Sequence, residues 1–170
     1  MKLIEPKAED LPQAIVPSGS PEGLLDELYK HIEKCARTCY KSENKITKGS
    51  AKPFVYRMIK LGHTAMLEHG TIYLYDRDWN YSPLIKYRDN KYSRYRDNYL
   101  RKETFQGNTE YLYEYFVTTN LRVLVERGWL DDLKYLWNPT EHHEMRYTFR
   151  MTTSIGVTRE LNRHKLLCAA

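Results

Sequence analysis

The sequence predicts one α+β domain in which helices pack on a small mixed or antiparallel sheet. Apolar residues recur at helical spacing in several segments. Residues 71–75 are β-favouring, and residues 145–153 alternate between apolar and polar side chains. A chain of 170 residues fits a single domain and can bury a core without disulfide bonds or metal ions. We therefore expect residues 1–170 to form one domain, whose strand order the sequence leaves open.

Two helices are predicted after an irregular, proline-rich start. Ser20 can cap the first helix, with Pro21 at its first position, and apolar residues then continue at helical spacing to about Tyr40. Ser50 can cap the second helix, which Gly62 ends. The predicted buried side of the second helix consists of Phe54, Val55, Met58, Ile59 and Leu61.

The segment 76–110 is rich in Tyr, Arg, Asp and Asn and has weak apolar periodicity. We interpret it as a Tyr/Arg-rich insertion, a lid or an oligomer arm. After it, a helix is expected from Asn120 to Gly128, and a second, short helix before Pro139.

The segment 145–153 predicts a half-buried strand, and Ser154 can cap a final helix. The side of this strand predicted to be buried carries Met145, Tyr147, Phe149 and Met151.

Charge and cysteine content limit the function classes. A net charge of +5 suits an anionic partner, either nucleic acid or a phosphorylated small molecule. No apolar stretch approaches the roughly 18 residues of a membrane span, and the first residues lack the apolar region of a signal peptide, so we expect a cytoplasmic protein. The chain has three cysteines, Cys35, Cys39 and Cys168. An odd number argues against a disulfide framework, so we expect the cysteines to be small buried side chains.

Two clusters of ionisable residues are candidates for chemistry. On a helix, Arg159 and Arg163 are neighbours, as are Glu160 and His164, so this helix-end cluster (158–165) could hold a phosphorylated planar ring. The alternative is a solvated helix end whose cations complement the helix dipole. The turn cluster (62–70) carries two histidines and a glutamate, which could contact a ligand, cap the preceding helix or bind a metal.

Three short elements together resemble the flavin-dependent thymidylate synthases. Residues 62–69 (GHTAMLEH) resemble the family's Gly-His-x-x-x-x-Glu-His element. Residues 163–165 (RHK) resemble the Arg-His-Arg that opens its defining motif, and residues 36–40 (ARTCY) resemble an Ala-Arg-x-Ser-aromatic pattern. Lys165 replaces the usual Arg, which removes a bidentate fork but keeps the charge, and Cys39 replaces the usual Ser.

The resemblance implies an incomplete thymidylate synthase-complementing-protein fold with bound FAD. It implies that NADPH and methylenetetrahydrofolate are co-substrates, and that dUMP is converted to dTMP with release of tetrahydrofolate. Active sites of this family form between subunits of a homotetramer. The remainder of the motif would follow Ala170, so we expect the 170-residue chain to be inactive alone.

The resemblance also assigns roles to particular residues. His63 and Arg163 would lie at the reacting centre, and no metal is implied. The residues that would contact the flavin are Cys39, His63, Glu68, Arg163, His164 and Lys165. Those that would contact the nucleotide substrate are Arg159, Glu160 and Arg163.

A different class of function is a single-stranded nucleic-acid binding module in residues 81–101. There, Tyr81, Tyr87, Tyr92, Tyr95 and Tyr99 are interleaved with Lys86, Arg88, Lys91, Arg94, Arg96 and Arg101. Proteins that bind single-stranded nucleic acids place aromatic stacking platforms beside cations in a similar pattern. We favour an insertion whose tyrosines pack across a subunit interface, because Asp89, Asn90 and Asp97 dilute the basic charge.

Overall fold

A computed structural model describes residues 5–13, 20–79, 81–103 and 109–163. In these ranges the α+β class is confirmed. The strands are β1 (Lys7–Asp10), β2 (Thr71–Asp78), β3 (Arg94–Glu103), β4 (Thr109–Asn120) and β5 (Phe149–Thr152), and the helices are α1 (Pro21–Cys39), α2 (Ala51–Lys60), α3 (Leu121–Arg127) and α4 (Ile155–Arg163). Single 3₁₀ segments lie at Glu43–Lys45, Thr64–His69, Pro83–Tyr87 and Leu130–Tyr135.

The strands form two antiparallel sheets. The larger sheet has the order β2-β4-β3, so the last of these strands in the chain is central, and the smaller sheet pairs β1 with β5. Val117 lies opposite Leu74 on one side and Tyr95 on the other. The face that carries Leu74 and Val117 is buried in the core, together with α1, α3 and the 3₁₀ segment Pro83–Tyr87.

The first helix follows its predicted boundaries. The Ser20 hydroxyl accepts a hydrogen bond from the Gly23 backbone N–H at 3.2 Å, and Pro21 occupies the first helical position. Its buried stripe includes Leu28 and Ile32, both fully buried. Local capping chemistry and helical periodicity therefore suffice to place α1.

The second helix ends as predicted but begins differently. Gly62 adopts a left-handed conformation (φ 71°), which few other residues would favour. Ser50 stands at the N-cap, yet its hydroxyl makes no capping bond and instead donates to the buried Glu33 carboxylate at 2.7 Å. The prediction that Leu61 is buried is wrong: it is 60% exposed, because it follows the last helical turn on the solvent side.

Within one chain, the described residues of the segment 76–110 belong to the larger sheet and to the core packed on it. They complete β2, contribute the 3₁₀ segment Pro83–Tyr87 and supply β3. Tyr87 is fully buried, and its hydroxyl donates to Asp132 at 2.7 Å. The apolar periodicity is weak because tyrosine rings with hydrogen-bonded hydroxyls fill positions that aliphatic residues usually fill.

The chain that follows β3 is partly as predicted. Strand β4 was not predicted, although residues 111–119 (YLYEYFVTT) are strongly β-favouring. Helix α3 is confirmed: the Asn120 side chain accepts a hydrogen bond from the Val123 N–H at 3.0 Å, and Gly128 ends the helix with φ 70°. The short helix before Pro139 is present as a 3₁₀ segment.

The last predicted strand is shorter and more exposed than expected. Strand β5 covers four residues, and the side predicted to be half-buried faces solvent: Met145, Tyr147, Phe149 and Met151 are 43%, 70%, 54% and 53% exposed. The prediction of a half-buried strand face is therefore wrong within a single chain. In the described part, β5 pairs only with β1, in a sheet of two strands. Helix α4 follows as predicted, and the Val157 N–H lies 3.5 Å from the Ser154 hydroxyl.

Candidate functional site

The turn cluster is held firmly between three helices. The His63 N–H donates to the Met58 carbonyl at 2.9 Å, which continues the end of α2 into the turn, and the His63 side chain is exposed. Leu67 is fully buried. A Cβ placed on Gly70 would lie 2.5 Å from the Ile32 Cδ1 atom, so glycine is needed for this close approach to α1. The cluster therefore presents an exposed imidazole from a well-anchored support.

Glu68 belongs to the same turn and pairs with α3. Its carboxylate accepts from the Arg122 guanidinium, which also donates to Glu126 at 2.6 Å. The Thr64 hydroxyl donates to the same Glu126 carboxylate at 2.8 Å. The hydrogen bond from Arg122, supported by that from Thr64, holds the pKa of Glu126 below its usual range. Sequence spacing could not identify Arg122, because it lies 54 residues beyond Glu68.

The third element of the resemblance lies at the end of α1. Cys39 is exposed, whereas Cys35 is buried, so the expectation of buried cysteines is right for Cys35 and wrong for Cys39. Cys168 lies outside the described residues. Arg37 donates to the buried Glu33 carboxylate at 2.7 Å and stacks 4.6 Å from the Phe54 ring centre. In this chain Arg37 therefore joins α1 to α2.

The helix-end cluster lies only partly within the described structure. Glu160 is exposed, and so is every other described side chain of α4. The side chains of Arg159 and Arg163 are outside the described part, as are residues His164 and Lys165 entirely. Within one chain, therefore, none of the described α4 side chains is buried against the turn cluster.

A cleft that the sequence did not predict lies on the other face of the larger sheet. We call it the strand-face cleft; its volume is about 310 Å³. Its lining residues are Arg94, Tyr95, Arg96, Phe116, Thr118, Glu141, His142, His143 and Glu144. The alternation of Arg with Tyr at 94–96 could have placed both arginines on one strand face, but the covering loop comes from a distant part of the chain.

A smaller cavity of about 150 Å³ lies between α1, the start of β2 and residues 136–147. Arg146 lines it and is largely buried. One terminal nitrogen of Arg146 donates to the Tyr92 carbonyl at 2.9 Å, while Nε and Nη1 are buried without a hydrogen-bond partner. Burial lowers the pKa of Arg146, an effect that Glu144 opposes.

A buried pair of titratable groups lies on α1. His31 and Cys35 are both buried, with Nε2 and Sγ 3.7 Å apart. Burial lowers the pKa of His31 to about 4 and raises that of Cys35 to about 11, so both stay neutral. Among the described residues, no group of three or more His, Cys, Asp or Glu side chains is arranged to hold a metal ion.

Within the described ranges, no helix combines the length and the apolar character needed to cross a membrane. Comparison of the chain with protein-family models, with curated proteins and with solved structures finds no significant match.

Proposed function

We propose that this chain is a subunit of a flavin-dependent thymidylate synthase, which makes dTMP from dUMP with methylenetetrahydrofolate, FAD and NADPH. The observation that carries the proposal is the GHTAMLEH turn. His63 of this turn is exposed beside the end of α2, while Glu68 is anchored to α3 through Arg122. An exposed imidazole on a well-packed support is the arrangement that a ligand-contacting residue needs.

The donor set is compatible with the chemistry of a flavin. His63 offers an imidazole, Cys39 an exposed thiol and the helix-end cluster a group of cations, which suit a planar ring with an attached pyrophosphate. When bound, the flavin supplies the hydride chemistry of the reaction. The chain's own residues position it: we assign His63, Glu68 and Cys39 to the flavin side. Arg163, His164 and Lys165 would contact the flavin from the helix end, where Arg159, Glu160 and Arg163 would bind dUMP.

The two clusters would meet between subunits. Every described side chain of α4 is exposed, and the apolar residues before and within β5 are also exposed. We propose that this surface is buried against a second copy, with the helix-end cluster of one chain beside the turn cluster of another. We therefore include a homotetramer with shared active sites in the proposal.

The test is flavin retention. The purified chain is incubated with excess FAD, desalted and examined by visible absorption. We expect bound flavin in the wild type and at least tenfold weaker retention in His63→Ala. Lys60→Ala is the control, since it removes an exposed side chain at the end of α2, the helix that precedes His63. Colourless protein under all conditions, or equal retention by the two variants, would refute the proposal.

The nucleic-acid alternative has less support. Tyr87 is buried, and the Tyr95 hydroxyl donates to Asp97 at 2.9 Å. Arg88 pairs with the same Asp97 at 3.0 Å. Tyr87 is therefore closed to base stacking, and Tyr95 and Arg88 are engaged with Asp97. Salt-dependent binding of an oligonucleotide is the measurement that would support this function.

A further inference from the structure

The floor of the strand-face cleft is built by two neighbouring strands. Arg94 lies opposite Thr118 and Arg96 opposite Phe116 in the antiparallel register of β3 and β4. Because side chains alternate along a strand, these four point to the same face of the sheet. That face lies opposite the one that carries Val117 and the core.

The wall of the cleft is a loop with a fixed conformation. The His143 Nδ1 atom accepts from the Thr140 N–H at 3.1 Å, so its Nε2 carries the hydrogen and donates to the Leu74 carbonyl at 3.1 Å. Its ring packs edge-on against Phe116, with centroids 5.4 Å apart, and the His142 ring lies 4.8 Å from Phe116. The loop is therefore anchored to β2 and to β4.

The charged side chains that line the cleft are not all paired with one another. Arg94 pairs with Glu144 at 3.2 Å, and the buried Arg146 guanidinium interacts with the same carboxylate. Arg96 has no hydrogen-bond or ion-pair partner among the described residues. Glu141 also lines the cleft, but its side chain is 86% exposed, so solvent screens its charge. Arg96 is thus placed to bind an anionic ligand.

An unpaired polar group lies on the cleft floor. Thr118 is 1% exposed, and its hydroxyl has no hydrogen-bond partner. A buried hydroxyl without a partner costs free energy, which a hydrogen bond to a ligand would recover.

We propose that the strand-face cleft binds the phosphate group of a small phosphorylated molecule. Arg96 and Arg94 donate to the phosphate oxygens, since guanidinium forks match phosphate geometry. The Thr118 hydroxyl donates from the floor once the ligand enters. The volume of about 310 Å³ lies at the lower end of small-molecule sites, so the cleft accommodates more than a bare ion. This inference does not depend on the proposed thymidylate synthase activity.

The test measures binding of two probes to the full chain by calorimetry at low ionic strength. The probes are phenyl phosphate and inorganic phosphate. Arg96→Gln is expected to weaken phenyl phosphate binding at least tenfold. Arg57→Gln is the matched control, because it removes the same charge from an exposed position on α2. Thr118→Val is expected to weaken binding several-fold while raising the melting temperature, since it removes the unpaired hydroxyl at nearly constant volume.

The two probes separate two sources of the same chemistry. Tighter binding of phenyl phosphate than of inorganic phosphate, with loss in Arg96→Gln, supports a phosphorylated molecule as the ligand. Equal binding of both probes with the same loss supports a site for free phosphate. Absence of binding by both probes, or equal loss in Arg96→Gln and Arg57→Gln, overturns the proposal. Retention of FAD by Arg96→Gln is measured in parallel, so that failure of this site is distinguished from failure of the flavin site.

Discussion

The two sheets of this molecule differ in what covers them. In the larger sheet, Leu74 and Val117 are fully buried beneath α1, α3 and a 3₁₀ segment. In the smaller sheet, Phe149 and Met151 are more than half exposed, and so is Ile155 in the following helix. Apolar side chains of similar size thus meet helices in one sheet and solvent in the other. The described core is therefore built around the larger sheet, whereas the smaller sheet leaves apolar side chains in solvent, and the oligomer proposed above would bury them.

The largest expected effect contrasts matched positions in the two sheets. Leu74→Ala in β2 should lower the free energy of unfolding by about 2–5 kcal/mol, because it leaves a cavity in the core. Met151→Ala in β5 should change it by less than about 0.5 kcal/mol in the monomer. Urea denaturation at low protein concentration measures both, and equal losses would contradict the contrast. A larger loss for Met151→Ala at high concentration would indicate that subunit contacts bury β5.

Acid should weaken the contact between α1 and the residues before β5. The buried His31 ring lies 3.3 Å from the Thr148 hydroxyl, and burial lowers its pKa from its ordinary 6.5 to about 4. The unfolded chain therefore binds more protons than the folded chain between those pH values, so this stabilisation is fully present above about pH 6.5 and is lost as the pH falls towards 4. Its magnitude is on the order of 3 kcal/mol.

The measurement is the free energy of unfolding between pH 4 and pH 7, in the wild type and in His31→Gln. We expect a shallower slope in the variant. Part of the slope should remain, because burial also lowers the pKa of His69 and His143. Superimposable profiles would show that His31 does not contribute.

The contact between the turn cluster and α1 should tolerate no added methyl group. Gly70→Ala is expected to cost about 1–3 kcal/mol, because its Cβ would lie 2.5 Å from the fully buried Ile32 side chain. Shortening that neighbour in the double variant Gly70→Ala/Ile32→Val should recover part of the loss. Gly156→Ala is the control: its Cβ meets nothing closer than 4.0 Å, so α4 should gain up to about 1 kcal/mol. Thermal unfolding distinguishes these outcomes, and a harmless Gly70→Ala would show that the contact is loose.

The smallest effect is expected at the exposed ion pairs of the smaller sheet. Arg150 lies 4.0 Å from Glu9 and 3.8 Å from Glu43. Both pairs are solvent-exposed, so Arg150→Ala should cost about 0–1 kcal/mol and the cost should vanish in high salt. A salt-independent loss above that range, measured by denaturant titration, would show that the smaller sheet depends on these pairs.

Part of the candidate site follows from local sequence. His63 comes directly after a glycine whose positive φ ends α2, so its placement at a helix end could be predicted. The Arg122 partner of Glu68 could not, because it is contributed by a helix that only the fold brings near. The same holds for the strand-face cleft, whose floor and wall are separated by 22 residues or more along the chain, from Thr118 to Thr140 and beyond.

The sequence by itself determined the boundaries of the helices, because caps, stops and helical periodicity act within a few residues. Ser20, Asn120 and Ser154 begin helices, and Gly62 and Gly128 end them. Tertiary structure alone decided which apolar faces are covered, because burial depends on elements distant in sequence. It buried Tyr87 in the core and left Phe149 in solvent. It also brought Arg94, Arg96 and Thr118 beneath the loop that carries His142 and His143.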